Sequence, residues 1–114
     1  MKISFRHQAI QRKNSDVCVV TEHPIDDEII DFAVVKVTGR YPDARYATNK
    51  KCKEIVYVHD GTGKVSVDGK EYSISAGDVV LIEPGEKFYW EGKDLNLFIS
   101  CTPAFTIEQH QIVD

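Results

Sequence analysis

With 114 residues the chain makes one domain and not two, and its 13 Val and 11 Ile, against 3 Leu, 6 Ala and 1 Met, exclude a helical bundle, because β-branched side chains favour the pleated sheet. Hydrophobic residues at 42% and charged residues at 28% exclude a disordered chain. A formal net charge of -4 argues against nucleic acid as a partner, and no apolar run approaches the roughly 20 residues of a membrane helix.

Met1–His7 has no signal-peptide core, so a cytoplasmic location is expected, with no membrane partner. Val17–Thr21 is the first predicted strand. Pro24-Ile25-Asp26-Asp27-Glu28 fits either one helical turn, with Pro first and acids at the positive dipole end, or an acidic loop facing solvent together with Asp31. Phe32–Thr38 is the next strand, and Arg40-Tyr41-Pro42-Asp43 reads as a turn or loop. Beyond it the glycines set a rhythm. Gly61, Gly69, Gly77 and Gly85 stand eight residues apart and Gly92 follows seven later, the spacing of short antiparallel strands in a sandwich or barrel. Asp60-Gly61-Thr62-Gly63 separates Glu54–His59 from Lys64–Val67. Asp68-Gly69 fits a two-residue type I′ hairpin. Ser75-Ala76-Gly77-Asp78 leads into Val79–Ile82, and Pro84-Gly85 supplies the two φ values of a type II turn. Seven to nine strands are expected between about residues 31 and 101. After Pro103 the tail carries Phe105, Ile107, Ile112 and Val113 and is expected to lie on the barrel. Cys18, Cys52 and Cys101 are odd in number and widely spaced, which points to buried free thiols and not to a disulfide framework or a zinc knuckle.

Two motifs within Glu54–Phe105 resemble the cupin superfamily. Glu54-Ile55-Val56-Tyr57-Val58-His59-Asp60-Gly61-Thr62-Gly63 is similar to the second half of the first cupin motif. Asp68-Gly69 and the run Ala76–Gly85 are similar to the bridge and the second motif. The resemblance implies an all-β double-stranded β-helix, a cupin jelly-roll barrel with its site inside one end. The expected layout is a single domain, with an N-terminal arm over 1–30, the barrel over 31–105 and a short C-terminal tail over 106–114. In metal-binding cupins an HxH pair precedes the glutamate and a third histidine follows the Pro-Gly turn. Here Ala47 and Asn49 (or Thr48 and Lys50) take the first two places and Phe88 the third, leaving Glu54. His7, His23 and His110 sit in flanking segments without ligand spacing. No metal and no cofactor are expected.

Strand alternation then gives a pocket. With Glu54 inward, Cys52, Val56 and Val58 follow it, and Phe88 brings Trp90 to the same face. The expected ligand-binding set is Tyr46, Asn49, Cys52, Glu54, Phe88 and Trp90, with Glu54 as the candidate catalytic group. Each has a plainer structural role to set beside this: Phe88 and Trp90 as barrel filling, Asn49 as a turn residue, Cys52 as a buried thiol, Glu54 as the partner of Arg45 or Lys53 or as a rim residue. Lys50, Lys51 and Lys53 form a basic run that would attract an anionic ligand if it lies at the mouth.

Three functions fit these residues. The first is a metal-free barrel that binds a small organic ligand, a sugar or a carboxylate. The second is an isomerase, epimerase or lyase with Glu54 as general acid or base, which leaves open whether the chain is an enzyme. The third is a structural or interaction module with a filled barrel. A homodimer is expected, with Val17-Cys18-Val19-Val20 as an edge strand needing cover.

Overall fold

The computed structural model describes residues 1–114. In chain order its strands are β1 (Ile10–Ser15), β2 (Cys18–Glu22), β3 (Ala33–Val37), β4 (Arg40–Tyr41), β5 (Tyr46–Asn49), β6 (Lys53–Asp60), β7 (Thr62–Val67), β8 (Lys70–Ser75), β9 (Val79–Ile82), β10 (Phe88–Gly92), β11 (Leu95–Thr102) and β12 (His110–Val113). Single 3-10 turns at Arg6–Gln8 and Ile107–Gln109 are the only helical elements. One sheet runs β1-β2-β3-β11-β6-β9 and the other β12-β5-β10-β7-β8, with β4 paired to β10; all pairs are antiparallel. The two sheets enclose one apolar interior, an all-β barrel as expected.

Turn chemistry holds this together as read from the sequence. Asp68 and Gly69 both take positive φ, 48° and 83°, as a type I′ turn requires. Gly61 is fixed by contact as well as by its φ of 86°: a Cβ there would come 2.0 Å from the Asp94 carbonyl oxygen. The wall strands alternate cleanly. On β6 Glu54, Val56 and Val58 are buried, and Ile55, Tyr57 and His59 are exposed. On β11 Leu95, Leu97, Ile99 and Cys101 are buried. In register, Leu97 faces Val58, Ile99 faces Val56 and Cys101 faces Glu54. At one end this interior is solid: Val37, Val56, Val58, Leu95 and Leu97 are all 0% exposed.

The N-terminal arm is corrected. Residues 10–22 form a hairpin that joins the first sheet, so β2 lies between β1 and β3 and is no edge. The acidic segment after β2 forms no helical turn. Arg40-Tyr41 is a short strand and not a loop, and the C-terminal tail adds β12 to the second sheet beside β5.

Candidate functional site

The apolar rows give way at the Glu54 end of β6. There the interior opens into a cavity of about 310 Å³, the lower end of the ~300–1,000 Å³ that small-molecule sites occupy. The barrel is therefore open at this end and packed at the other. Val20, Val35, Phe88, Trp90, Ile99 and Phe105 form the apolar part of the wall. Phe88 and Trp90 meet edge to face at 6.3 Å, so two of the expected aromatics serve as a pocket floor and as core at once.

Glu54 is 7% exposed. The Cys101 thiol donates to its Oε1 at 3.7 Å, and its Oε2 has no hydrogen-bond partner. Burial pushes the carboxyl up to about 7; the Cys101 hydrogen bond opposes this and the nearby Asp31 charge adds to it. The salt bridge offered as the structural role of Glu54 is absent: Arg45 pairs with Asp114 at 3.5 Å and Lys53 with Glu83 at 3.3 Å. The row of inward β6 residues thus ends in a desolvated carboxyl in the cavity wall. Cys101 itself is held protonated by its contact with Cys52 and by burial, and burial lifts Cys18 to about 11, so neither is a thiolate nucleophile.

A second polar group comes from the tail. His110 lies opposite Asn49 in the β12–β5 register, and its Nδ1–H donates to Asn49 Oδ1 at 2.8 Å. Its Nε2 then accepts from the Tyr41 hydroxyl, also at 2.8 Å. Burial, with the Arg12 charge beside it, lowers the imidazole pKa, which keeps the ring neutral. Phe105 packs edge-on against the same ring at 5.7 Å. Asn49, His110 and Tyr41 form one hydrogen-bonded row in the cavity wall. Sequence reading missed His110 and Tyr41 because neither lies in a motif; only pairing of the tail with β5 brings them in.

Of the predicted set, Asn49, Glu54, Phe88 and Trp90 line one cavity. Tyr46 does not. A period of two puts it on the face opposite Asn49, where it packs against Tyr89 at 5.9 Å under Arg40. Cys52 is buried beside Cys101 but lies behind the wall, because it precedes β6 in the bend that Gln109 clamps: Gln109 Oε1 accepts from the backbone N–H of Lys51 at 3.0 Å and of Cys52 at 2.7 Å. The basic run Lys50, Lys51 and Lys53 is exposed and outside the cavity wall. The rim is acidic instead. Asp26, Asp27 and Glu28 face solvent as expected, and they do so at the border of the opening. Asp31 turns inward and accepts from the Cys101 and Phe105 backbone N–H groups at 2.7 and 2.9 Å. Arg12 reaches the wall from β1, bonded to Glu22 and Asn14. These side chains do not fit a transition metal. No three His, Cys, Asp or Glu groups converge, and both nitrogens of His110 are engaged by Asn49 and Tyr41.

Comparison with known proteins agrees with this geometry. The cupin domain model matches residues 40–95. Among curated proteins none matches the sequence. Among solved structures, the Streptomyces nucleoside dehydratase Pac13 superposes with a TM-score of 0.87 at 16% identity, covering 99% of this chain and 91% of its own. A variant of Pac13 with uridine gives 0.86 at 16% identity, over 98% of this chain and 90% of that one. KdgF from Halomonas sp. gives 0.75 at 12% identity, over 95% and 98%, and an RmlC-like cupin from Shewanella frigidimarina gives 0.75 at 16%, over 93% and 94%. At these identities the likeness is one of fold.

Proposed function

The chain is a small single-domain cupin, and on that footing we propose that its barrel binds a small organic molecule in the cavity around Glu54. One observation carries this reading: a buried carboxyl with an unpartnered oxygen at the edge of an open cavity. Leaving such a group unpaired costs several kcal/mol in a purely structural barrel. A ligand that supplies the missing hydrogen bond offsets that cost. The apolar wall with a few convergent polar groups is the make-up of a small-molecule site. The ligand form of Pac13, whose fold this chain shares almost end to end, supports a ligand of sugar or nucleoside size.

The test is a thermal-shift screen of sugars, nucleosides and small carboxylates. Binding to the native state raises the melting temperature. At least one class should do so, and the shift should shrink in Glu54→Gln. A screen without any shift rejects the reading.

A second reading has its own observation. A carboxyl brought to about 7 is half protonated at neutral pH, and a neutral imidazole sits in the same wall. That is the equipment for general acid–base work in an isomerase, epimerase or lyase. Turnover of a bound ligand that Glu54→Gln abolishes supports it; binding without turnover, followed by NMR over hours, rejects it. In either case the molecule works as a homodimer in this proposal, paired through the apolar outer face of β6, β9 and β11.

A further inference from the structure

The charges around the cavity say which ligands it takes. Six carboxyl groups line it: Glu22, Asp26, Asp27, Glu28, Asp31 and Glu54. Against them stands one guanidinium, Arg12, whose Nε is bonded to Glu22 and whose Nη1 is bonded to Asn14. One lysine, Lys2, reaches the rim, where its ammonium donates to the Asp26 carbonyl and to Asp27 Oδ2, at 2.5 and 3.2 Å, and offsets one of the six charges. Two imidazoles, His23 and His110, also line the wall, whereas Lys50, Lys51 and Lys53 lie outside it and Lys53 is paired with Glu83. An approaching anion thus meets a field of its own sign in a low-dielectric mouth, where like charges are poorly screened. Inside, the unpartnered atom is an acceptor: Glu54 Oε2, on a residue 93% shielded from solvent by its 7% exposure. Its ionised form, about half of the population at neutral pH, accepts hydrogen bonds only and calls for a donor on the ligand.

We infer that this site selects a neutral or cationic ligand that directs a hydroxyl or ammonium group at Glu54, and that it discriminates against carboxylates and phosphates. The inference rests on the binding function proposed above and narrows it, since a sugar fits and a small carboxylate does not. Specificity here comes from repulsion at the rim as much as from attraction within. Asp26 and Glu28 supply the rim charge with side chains that hold no other group in place, whereas the Asp27 carboxyl is tied to the backbone N–H groups of Ile29 and Ile30.

The experiment is a set of matched probes titrated by calorimetry: glucose, glucosamine and glucuronate, and uridine against its 5′-monophosphate. The neutral and amino members should bind at least tenfold more tightly than their anionic counterparts. Glu54→Gln should weaken glucosamine more than glucose. Asp26→Asn combined with Glu28→Gln should narrow the discrimination against the anions, with the melting temperature of the free protein retained. Tighter binding of glucuronate or the monophosphate than of the neutral partner overturns the charge selection and leaves the binding function standing. No binding of any of the five overturns both.

Discussion

At the scale of single residues the decisive group is Glu54, because its environment makes stability and function pull in opposite directions. In the unfolded chain its carboxyl has the ordinary value of 4.5, and in the fold about 7. Between those values the native state holds the extra proton, so stability falls as pH rises from about 4.5 to about 7 and stays lower above it. The span corresponds to about 3 kcal/mol at alkaline pH. Glu54→Gln keeps the shape and removes the ionisation. It should leave stability near pH 4.5 nearly unchanged and raise it by roughly 1–3 kcal/mol at pH 8, measured by urea denaturation at both pH values. A carboxylate kept for a salt bridge would give the opposite result, a less stable variant at pH 8. His110 titrates with the other sign. Its lowered pKa means that stability present above the unfolded value of 6.5 is lost as pH falls toward the folded one, so the Glu54 slope is best read as the difference between wild type and variant. Glu54 was legible as a site residue because a carboxylate opening an otherwise apolar alternating strand breaks its own pattern. His110 was not, since nothing in its local sequence distinguishes it from a surface histidine.

At the scale of elements, the strands that read easily are those whose inner face looks at the packed core. β6 and β11 alternate buried and more exposed residues along nearly their whole length, with apolar side chains on all but one of the inward positions, and Gly-centred turns adjoin them. β1 and β12 did not read as strands for a physical reason. Their inner faces look at the cavity, so β1 turns Arg12 and Asn14 inward and β12 turns in His110, leaving no apolar period to detect. The same loss of signal that hid these strands marks where the interior is open and partly polar. β12 is held by more than its ladder. Gln109, 4% exposed, closes the bend before β6 with one side-chain oxygen on two backbone N–H groups, and its own carbonyl accepts from the Lys50 N–H at 3.2 Å. Gln109→Ala leaves the buried Cys52 N–H without its acceptor and should cost about 2 kcal/mol. Because the bend leads directly into Glu54 and the adjoining strand carries His110, ligand affinity should fall with it. An unchanged urea midpoint in Gln109→Ala would show that the tail merely rests on the barrel.

At the scale of the whole molecule, the outer face of the first sheet is as informative as the inner one. β6 and β9 pair with Ile55 opposite Leu81 and Tyr57 opposite Val79, and β11 adds Phe98 beside Tyr57. Ile55, Tyr57, Val79 and Leu81 are 49%, 44%, 60% and 48% exposed, so large apolar side chains lie side by side on neighbouring strands. Isolated exposed apolar residues are ordinary, but a contiguous patch on one face marks an interaction surface. The edge strand first expected to drive pairing, Val17–Val20, is covered on both sides within the sheet, which leaves this face as the surface to cover. A second copy can do so symmetrically, since a two-fold axis through the patch sets each apolar strip against its twin. Sedimentation at micromolar concentration should therefore give twice the 12.9 kDa chain mass. Leu81→Lys with Tyr57→Glu should give a monomer. Both side chains point away from the core, so the far-ultraviolet spectrum should be retained and the intrinsic fold should change by no more than about 1 kcal/mol. The cavity opens at the other face of this sheet, so the monomeric variant should still bind the ligand of the wild type. A wild-type chain that sediments as a monomer would end the dimer proposal and leave the binding reading standing, because the cavity lies on the inner face of the sheet and the patch on its outer face.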